Sequence, residues 1–478
     1  MKAKNIFKLF FLGSILLLTS CSEKDLQLEY ELADDYDSNT GNIKSEDKLE
    51  YVTNGIYSII GGAGFYGAQF QAFNDVVSDN VFVSNTNGGY FLTYQNISWV
   101  GDSDLGFFNT GYDVITQANI VINESSLPVT DRTKSLKGEA KILRGLAYFT
   151  LAQFYCDLPT SGKNQEYGLP LNLGIYNPNT KYSRSTVEET YNQIIKDLTE
   201  GINEMDAGYR QGKKTYISPL AAKLILSKVY LTRGKSGDYD KAIDLAEQVM
   251  VDQPTIAGDK LYDYFTGDIA LSEGQPETLF EIEQTANYNL QVNSYLGNFY
   301  ASTGSQKSLL VRQSIVDLYD KSTDIRYKLF NTTSSAPISD VPKGVWLRKW
   351  PRGTASQGNY TLNIKVLRAT EAKYIKMEAL AKKGNTSEAL TLLNAHAAER
   401  GAKIYSGDVI SAILLDKQKE FISEGHRFLD LKRNNLGFNR ETNCLTCEVA
   451  AGSKYWVLPI PLAEMNRNPN MTQHPNWK

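Results

Sequence analysis

Residues 218–250 read SPLAAKLILSKVYLTRGKSGDYDKAIDLAEQVM, and this stretch decides the fold. Ser218 is a helix cap, and Pro219 stands at the first helical position, where its missing N–H costs nothing and its fixed φ suits the helix. The helix ends near Gly234. After the turn Lys235-Ser236-Gly237-Asp238, a partner helix carries Ala242, Leu245 and Val249 at the three- and four-residue spacings of one buried face. Two helices joined by so short a turn must fold back on each other, and small side chains stand where they cross.

The same grammar recurs along the chain. A first helix is predicted over residues 46–60. Asp131 can cap a helix whose apolar stripe runs Leu136, Ala140, Leu143, Ala147, Leu151 and Phe154. Ser185-Thr186-Val187-Glu188 reads as a capping box, opening a helix with Val187, Tyr191, Ile194, Leu198 and Ile202 on one side. A later helix is predicted from Ile364 to Ala381. Gly384-Asn385 makes its turn, and Ala389 and Leu393 line the return. A last long helix is predicted from Val409 to Lys432. Such pairs look like tetratricopeptide-type units. The expected fold class is mainly α, a tetratricopeptide-like α/α superhelix of helical hairpins.

Two regions break this pattern. Residues 61–110, rich in Gly, Asn, Phe and Tyr, read as loops with short turns. Residues 252–362 hold many Tyr, Asn, Ser and Gly, and read as a loop-rich insertion on the scaffold. No linker divides the chain after residue 45, so 46–478 is expected to form a single body.

The N-terminus sets the compartment. Lys2, Lys4 and Lys8 precede an apolar run from Phe10 to Leu18, then Leu18-Thr19-Ser20-Cys21. This is a secretory signal over residues 1–20, too short to span a bilayer. Cys21 directly after Leu-Thr-Ser resembles the lipobox of bacterial lipoproteins, which implies that Cys21 is acylated and becomes the first mature residue. An ordinary cleaved signal with a cysteine nearby is the plainer alternative. Residues 21–45, with Glu23, Asp25, Glu29, Glu31, Asp34, Asp35 and Asp37, read as an acidic flexible tether. The net charge of −4 falls to −7 once the three signal lysines are removed. A nucleic-acid partner, which wants a basic stripe, is not expected.

Little in the chain suggests chemistry. His396, His426 and His474 are too scattered for a metal site or a triad. There is no Gly-x-Ser-x-Gly elbow and no phosphate-cradling loop. The run Gly61-Gly62-Ala63-Gly64 lacks a strand–turn–helix frame and reads as a loop. Glu420 and Glu424 could be taken for a glycosidase pair, but neighbours on one helical turn do not flank a sugar bond. No cofactor and no metal are expected. Cys444-Leu445-Thr446-Cys447 reads as a local disulfide or two idle thiols, with zinc or redox chemistry as alternatives that lack the usual partner ligands.

Six strings, taken in order, carry a resemblance. They are Gly138-Glu-Ala-Lys-Ile-Leu-Arg144-Gly-Leu-Ala-Tyr148-Phe149; Arg184-Ser-Thr186-Val-Glu188-Glu-Thr-Tyr191; Ala221-Ala-Lys223-Leu through Leu231; Arg368-Ala-Thr-Glu371-Ala-Lys-Tyr374; Glu420-Phe421 through Gly425, Arg427, Asp430-Leu431 and Arg433; and the ending Leu458-Pro459-Ile460-Pro461 through Trp477. Together, after a lipobox, they resemble the SusD/RagB family of outer-membrane lipoproteins. Lys417-Gln418-Lys419 and His474 depart from the family pattern. The resemblance implies a lipid-anchored, surface-exposed outer-membrane protein without enzymatic activity. It would capture oligosaccharides and deliver them to a SusC/RagA-type TonB-dependent transporter. An oligopeptide ligand, as in RagB-type relatives, is the alternative; a surface hydrolase is a remote one.

Ligand contacts are expected from aromatics on loops, since sugar rings present apolar faces to Trp and Tyr while Asn, Asp and Arg bind hydroxyls, and loops on a rigid scaffold carry function. One predicted cluster is Phe65, Tyr66, Asn74, Asp75, Tyr90 and Trp99. The other is Tyr288, Tyr295, Tyr300, Trp346, Arg348 and Trp350. Trp99 and Trp346 are the first choices. The bland alternative is that these aromatics pack under long loops.

Overall fold

The protein is seen in a computed structural model that describes residues 43–85, 87–206, 208–256, 258–336, 340–354 and 358–478. The signal, Cys21 and the tether up to residue 42 lie outside the described residues. The helices of the scaffold are α1 (Glu46–Ile60), α2 (Gln69–Val77), α3 (Phe107–Asn123), α4 (Asp131–Tyr155), α5 (Val187–Glu204), α6 (Pro219–Arg233), α7 (Asp238–Asp252), α8 (Thr370–Lys382), α9 (Thr386–Glu399), α10 (Val409–Glu420) and α11 (Arg427–Arg433).

The 218–250 hairpin forms where its sequence predicts, except that Leu245 is only half-buried while Ala246 is fully buried. Ser218 Oγ accepts the Ala221 N–H at 3.1 Å, Pro219 opens α6 and Gly234 closes it. Ala242 and Val249 of α7 are fully buried. Neighbouring helices pack in series, α3 on α4, α4 on α5 and α6 on α7. α7 then packs on α8, which carries α9 and α10. The helix before residues 252–362 thus lies directly on the helix after them, so the stack continues across the excursion.

Small residues set the closest approach. A Cβ on Gly201 of α5 would stand 2.6 Å from the Gly138 carbonyl of α4, so only glycine lets these helices touch. Beside that contact Arg144 clamps Asp197 through two hydrogen bonds of 2.8 and 2.6 Å and donates to Asn119 at 2.7 Å. One buried guanidinium therefore pins α3, α4 and α5. A satisfied bidentate pair of this kind holds register, and removing one partner costs far more than the pair is worth.

The structure corrects several predicted elements. Thr130, not Asp131, caps α4, in a capping box with Thr133. Thr186 caps α5, with Glu189 three residues on, one step later than predicted. Residues 364–368 form a strand, and α8 begins only at Thr370. The predicted helix from 409 to 432 breaks after Glu420 and resumes at Arg427.

Residues 61–110 are not a run of loops. α2 lies there, with Phe70 through Val77 all buried, and strand β1 (Val81–Val83) follows it. The helix is only nine residues long and buries the polar Gln71, Asn74 and Asp75 together with Phe70, Phe73, Val76 and Val77, so its composition mimics a loop. The region 252–362 contributes β2 (Thr278–Ile282), β3 (Leu309–Arg312), β4 (Phe330–Asn331) and β5 (Gly344–Leu347); β6 (Ile364–Arg368) follows. β1, β3, β5 and β4 make one antiparallel sheet in that order, with Val81 opposite Val311 and Val311 opposite Val345. The two aromatic-rich regions are therefore stitched to each other. β2 pairs antiparallel with β6, returning the excursion to α8.

Among the described residues no helix is long and apolar enough to cross a membrane. Cys444 and Cys447 are disulfide-bonded. Cys156 is free and buried, and burial pushes its thiol pKa up to about 11.

Candidate ligand-binding site

Most of the predicted ligand residues are interior. Phe65, Tyr66, Asn74, Asp75, Trp99, Tyr295, Tyr300, Trp346 and Trp350 are all buried. Trp99, 3% exposed, packs on Phe73 and Tyr455. Trp346, also 3% exposed, joins Phe82 and Leu310 beneath the sheet. Trp350 Nε1 donates to Ser423 Oγ at 2.9 Å, and Tyr66 OH meets Thr150 Oγ1 at 2.8 Å. Asn74 Nδ2 donates to the Phe70 carbonyl at 2.7 Å. These side chains pack the core and cannot meet a ligand without unfolding it. The aromatics concentrate there because α2 and the sheet are covered on both sides, a position that rewards large apolar rings.

Three predicted residues reach the surface. Tyr288 is 52% exposed. Tyr90 and Arg348 are half-buried. Tyr288 sits in a tight turn: its N–H donates to Thr285 Oγ1 at 3.0 Å and its carbonyl accepts the Thr285 N–H at 2.7 Å. Its hydroxyl lies 3.0 Å from Ser58 Oγ on α1. Between them opens a hollow of about 230 Å³ lined by Asn54, Tyr57, Ser58, Thr215, Tyr216, Phe280, Ile282, Glu283 and Tyr288.

Tyr57 and Tyr216 of this hollow were missed by sequence reasoning. Tyr57 lies on α1 beside the stripe of Leu49, Thr53, Ile56 and Ile60 that the helix buries. Tyr216 precedes the Ser218 cap in a connection with no periodic signal. The two rings meet edge to face at 5.2 Å, and Tyr57 lies 6.0 Å from the buried Phe280 of β2.

Behind the rings lies a charged support. The Arg210 guanidinium stacks on Tyr216 at 4.2 Å. Its Nη2 donates to Asn54 Oδ1 at 3.0 Å and to Glu139 Oε2 at 3.1 Å, and it also pairs with Glu50. Tyr57 OH donates to Glu139 and accepts the Ile217 N–H at 3.0 Å. Burial and the Glu139 charge raise the Tyr57 pKa well above the usual phenol value, so the ring stays neutral and donating. Burial also pushes the Glu139 carboxyl up, with Arg210 holding it back. The rings are thus fixed from behind, while Asn54, Ser58, Thr215 and Glu283 offer polar atoms around them. Fixed aromatic faces with a few convergent polar groups suit a small polar ligand with an apolar face.

Tyr90 stands on a neighbouring surface. It packs on Phe91 and Phe299, and its hydroxyl reaches Asn293, which also accepts from Gln306 at 3.1 Å. Asn293 is five residues beyond Tyr288, so one segment serves both. Arg348 lies apart, bonded to Asn331 at 3.3 Å, in a shallow hollow of about 240 Å³ with Tyr262 and Ser302. Two larger hollows, about 400 Å³ by Tyr112 and Tyr182 and about 410 Å³ by Lys432, contain no residue of the predicted clusters.

The charged family strings serve the scaffold. Glu420 takes Arg400 at 3.1 Å, Arg368 at 3.4 Å and Arg326 at 3.4 Å, all buried. Glu424 takes Arg368 at 2.7 Å and Lys349 at 2.6 Å. Arg427 stands three residues from both Glu424 and Asp430 and forms an ion pair with neither among the described residues. The break at 421–426 turns Arg427 onto Asp79 at 2.8 Å, and Asp430 instead takes Lys417 and Arg433.

A family model described as starch-binding associating with outer membrane matches residues 29–231, and a SusD family model matches residues 299–477. A SusD superfamily protein from Bacteroides thetaiotaomicron is similar over 90% of this chain and 100% of its own, at 25% identity and TM-score 0.80. A putative sugar binding protein from Bacteroides vulgatus shares 24% identity over 91% of this chain and 100% of its own, with TM-score 0.80. A SusD-like carbohydrate binding protein from the same species shares 21% identity over 90% of this chain and 98% of its own, with TM-score 0.77. No curated protein matches the sequence.

Proposed function

Since the chain belongs to the SusD/RagB family of outer-membrane nutrient-binding proteins, we propose that it captures oligosaccharides at the cell surface and passes them to a SusC-type TonB-dependent transporter. The observation that carries the glycan reading is the hollow between Tyr288, Tyr216 and Tyr57, with its ring of Asn54, Ser58, Thr215 and Glu283. Aromatic faces take the C–H side of a pyranose, and the rim takes its hydroxyls. Two relatives of this fold are named for sugar or carbohydrate binding, which supports the same class of ligand. The lipobox at Cys21 supports tethering to the outer membrane, and a tethered binder needs a partner that moves the ligand inward.

Isothermal titration of the mature protein against panels of neutral glycans and of oligopeptides tests this reading. Glycan binding that is weakened in Tyr288→Ala and Tyr216→Ala supports it. Binding of peptides alone transfers the site to the peptide class, and turnover of a polymeric substrate would argue for a hydrolase. The transporter partnership is tested by detergent extraction: the protein should co-purify with a large barrel protein.

A further inference from the structure

Two interior arginines are held by backbone carbonyls. Arg312 ends β3 and is 3% exposed; Arg440 follows the short strand Phe438–Asn439 and is 1% exposed. Neither forms an ion pair among the described residues. The donors in use all go to backbone carbonyls. Arg312 Nη1 donates to Arg440 O at 2.7 Å and Thr442 O at 3.4 Å; Arg440 Nη1 donates to Val76 O at 3.3 Å and its Nη2 to Thr446 O. The rings of Phe82 and Phe438 face them at 5.6 and 6.0 Å.

Three N–H groups are left over. Nε and Nη2 of Arg312 and Nε of Arg440 are buried with no hydrogen-bond partner among the described residues. The charges of Asp79 and Glu441 reach Arg312 and that of Asp79 reaches Arg440, but none forms an ion pair with them among the described residues, and Asp79 is already clamped by Arg427 through two bonds of 2.8 Å. A guanidinium does not discharge by losing its proton under ordinary conditions, and a buried charge without a counter-charge is expensive. Burial lowers the Arg312 pKa to about 10 and that of Arg440 to about 9, the latter helped by the Arg312 charge beside it.

We propose that these unpartnered N–H groups of Arg312 and Arg440 hold a small inorganic anion of the halide class. A halide accepts N–H donors from any direction and has no further valence to satisfy. A sulfate or phosphate would bring four oxygens to three free donors and leave some bare. Arg312 comes from the four-stranded sheet, and Arg440 from the hairpin whose connection holds the Cys444–Cys447 disulfide. The ion therefore pins that hairpin to the sheet that bears Trp346.

Crystals of the mature protein soaked in sodium bromide, measured at the bromine edge, should show an anomalous peak within hydrogen-bond distance of Arg312 Nε and Arg440 Nε. In solution, the thermal midpoint should be higher in sodium chloride than in sodium gluconate at equal ionic strength. Chloride at one hundred times its dissociation constant raises the folded-to-unfolded ratio about 100-fold. Arg312→Met and Arg440→Met, which keep the stem and drop the charge, should each abolish the difference between the salts. A blank bromide map, coincident melting curves in the two salts, or a chloride response that survives either substitution overturns the proposal. Should one variant fail to fold, the other and the wild-type bromide map still decide.

Discussion

The Asp75 carboxylate accepts the Gly425 backbone N–H at 3.1 Å, across 350 positions of chain. It accepts the Ser423 N–H at 3.1 Å as well. Ser423 and Gly425 both have positive φ, 63° and 82°, so the break between α10 and α11 is held open from α2 by one buried side chain. A residue that looks like a ligand contact in sequence is the organiser of the break between α10 and α11.

Asp75 makes stability depend on pH. Burial raises its pKa from 3.8 to about 6, with Asn80, Ser423 and Gly425 pulling the other way. A folded value above the unfolded one stabilises fully below about pH 4 and is lost as pH rises through 6. The loss is about 3 kcal/mol for two units. Urea unfolding from pH 4 to 7 should show the advantage of wild type over Asp75→Asn shrinking across that window. A constant difference would refute the assignment.

Glu420 acts in the opposite sense. Burial raises its pKa, but Arg400 first, then His396 and Arg368, outweigh it and hold the carboxyl well below the usual range. Its contribution is present above the unfolded carboxylate value and fades as pH falls below about 4. Glu420→Gln leaves three buried guanidiniums short of charge. It should cost about 3–5 kcal/mol at pH 7, read by denaturant midpoint, and the gap to wild type should narrow in acid.

Gly425→Ala should be costly although it adds one carbon. The new Cβ would meet the Phe70 ring at 2.8 and 2.9 Å, with φ at 82°. Strain and overpacking together suggest about 3 kcal/mol. A melting temperature equal to wild type would mean that α2 can give way, contrary to its complete burial.

Tyr288→Ala and Trp99→Ala should separate binding from packing. The exposed Tyr288 should lose about tenfold in affinity, about 1.4 kcal/mol, with the melting temperature unchanged. The buried Trp99 should lose about 3–5 kcal/mol of stability, while the protein that still folds binds glycan as before. Titration and melting on the same preparations read both.

Cys21→Ser should leave folding and glycan affinity intact and release the protein from membranes. Fractionation of cells expressing the variant, beside wild type labelled with a radioactive fatty acid, reads both effects.

How much of this was legible in the chain varies with the range of the forces involved. The hairpin at 218–250 could be read because a cap, a proline at the first helical position and an apolar stripe act within a turn or two of themselves. The strand 364–368 could not, because it is a strand only by pairing with residues 278–282. α2 could not, because it is only nine residues long and its polar Gln71, Asn74 and Asp75 are as buried as its apolar side chains. The site suffered most. An aromatic in a Gly- and Asn-rich stretch has the same neighbours in sequence whether it packs inward, as Trp99 does, or faces water, as Tyr288 does.

Sequence by itself determined the helical hairpins, the small residues at their crossings and the family strings, all local patterns written in the order of the residues. Tertiary structure alone decided which rings remain open to a ligand. Tyr57, Tyr216 and Tyr288 come together from α1, the approach to α6 and the excursion after α7, and exposure is a property of that assembly: a side chain is buried by whatever the rest of the chain lays over it.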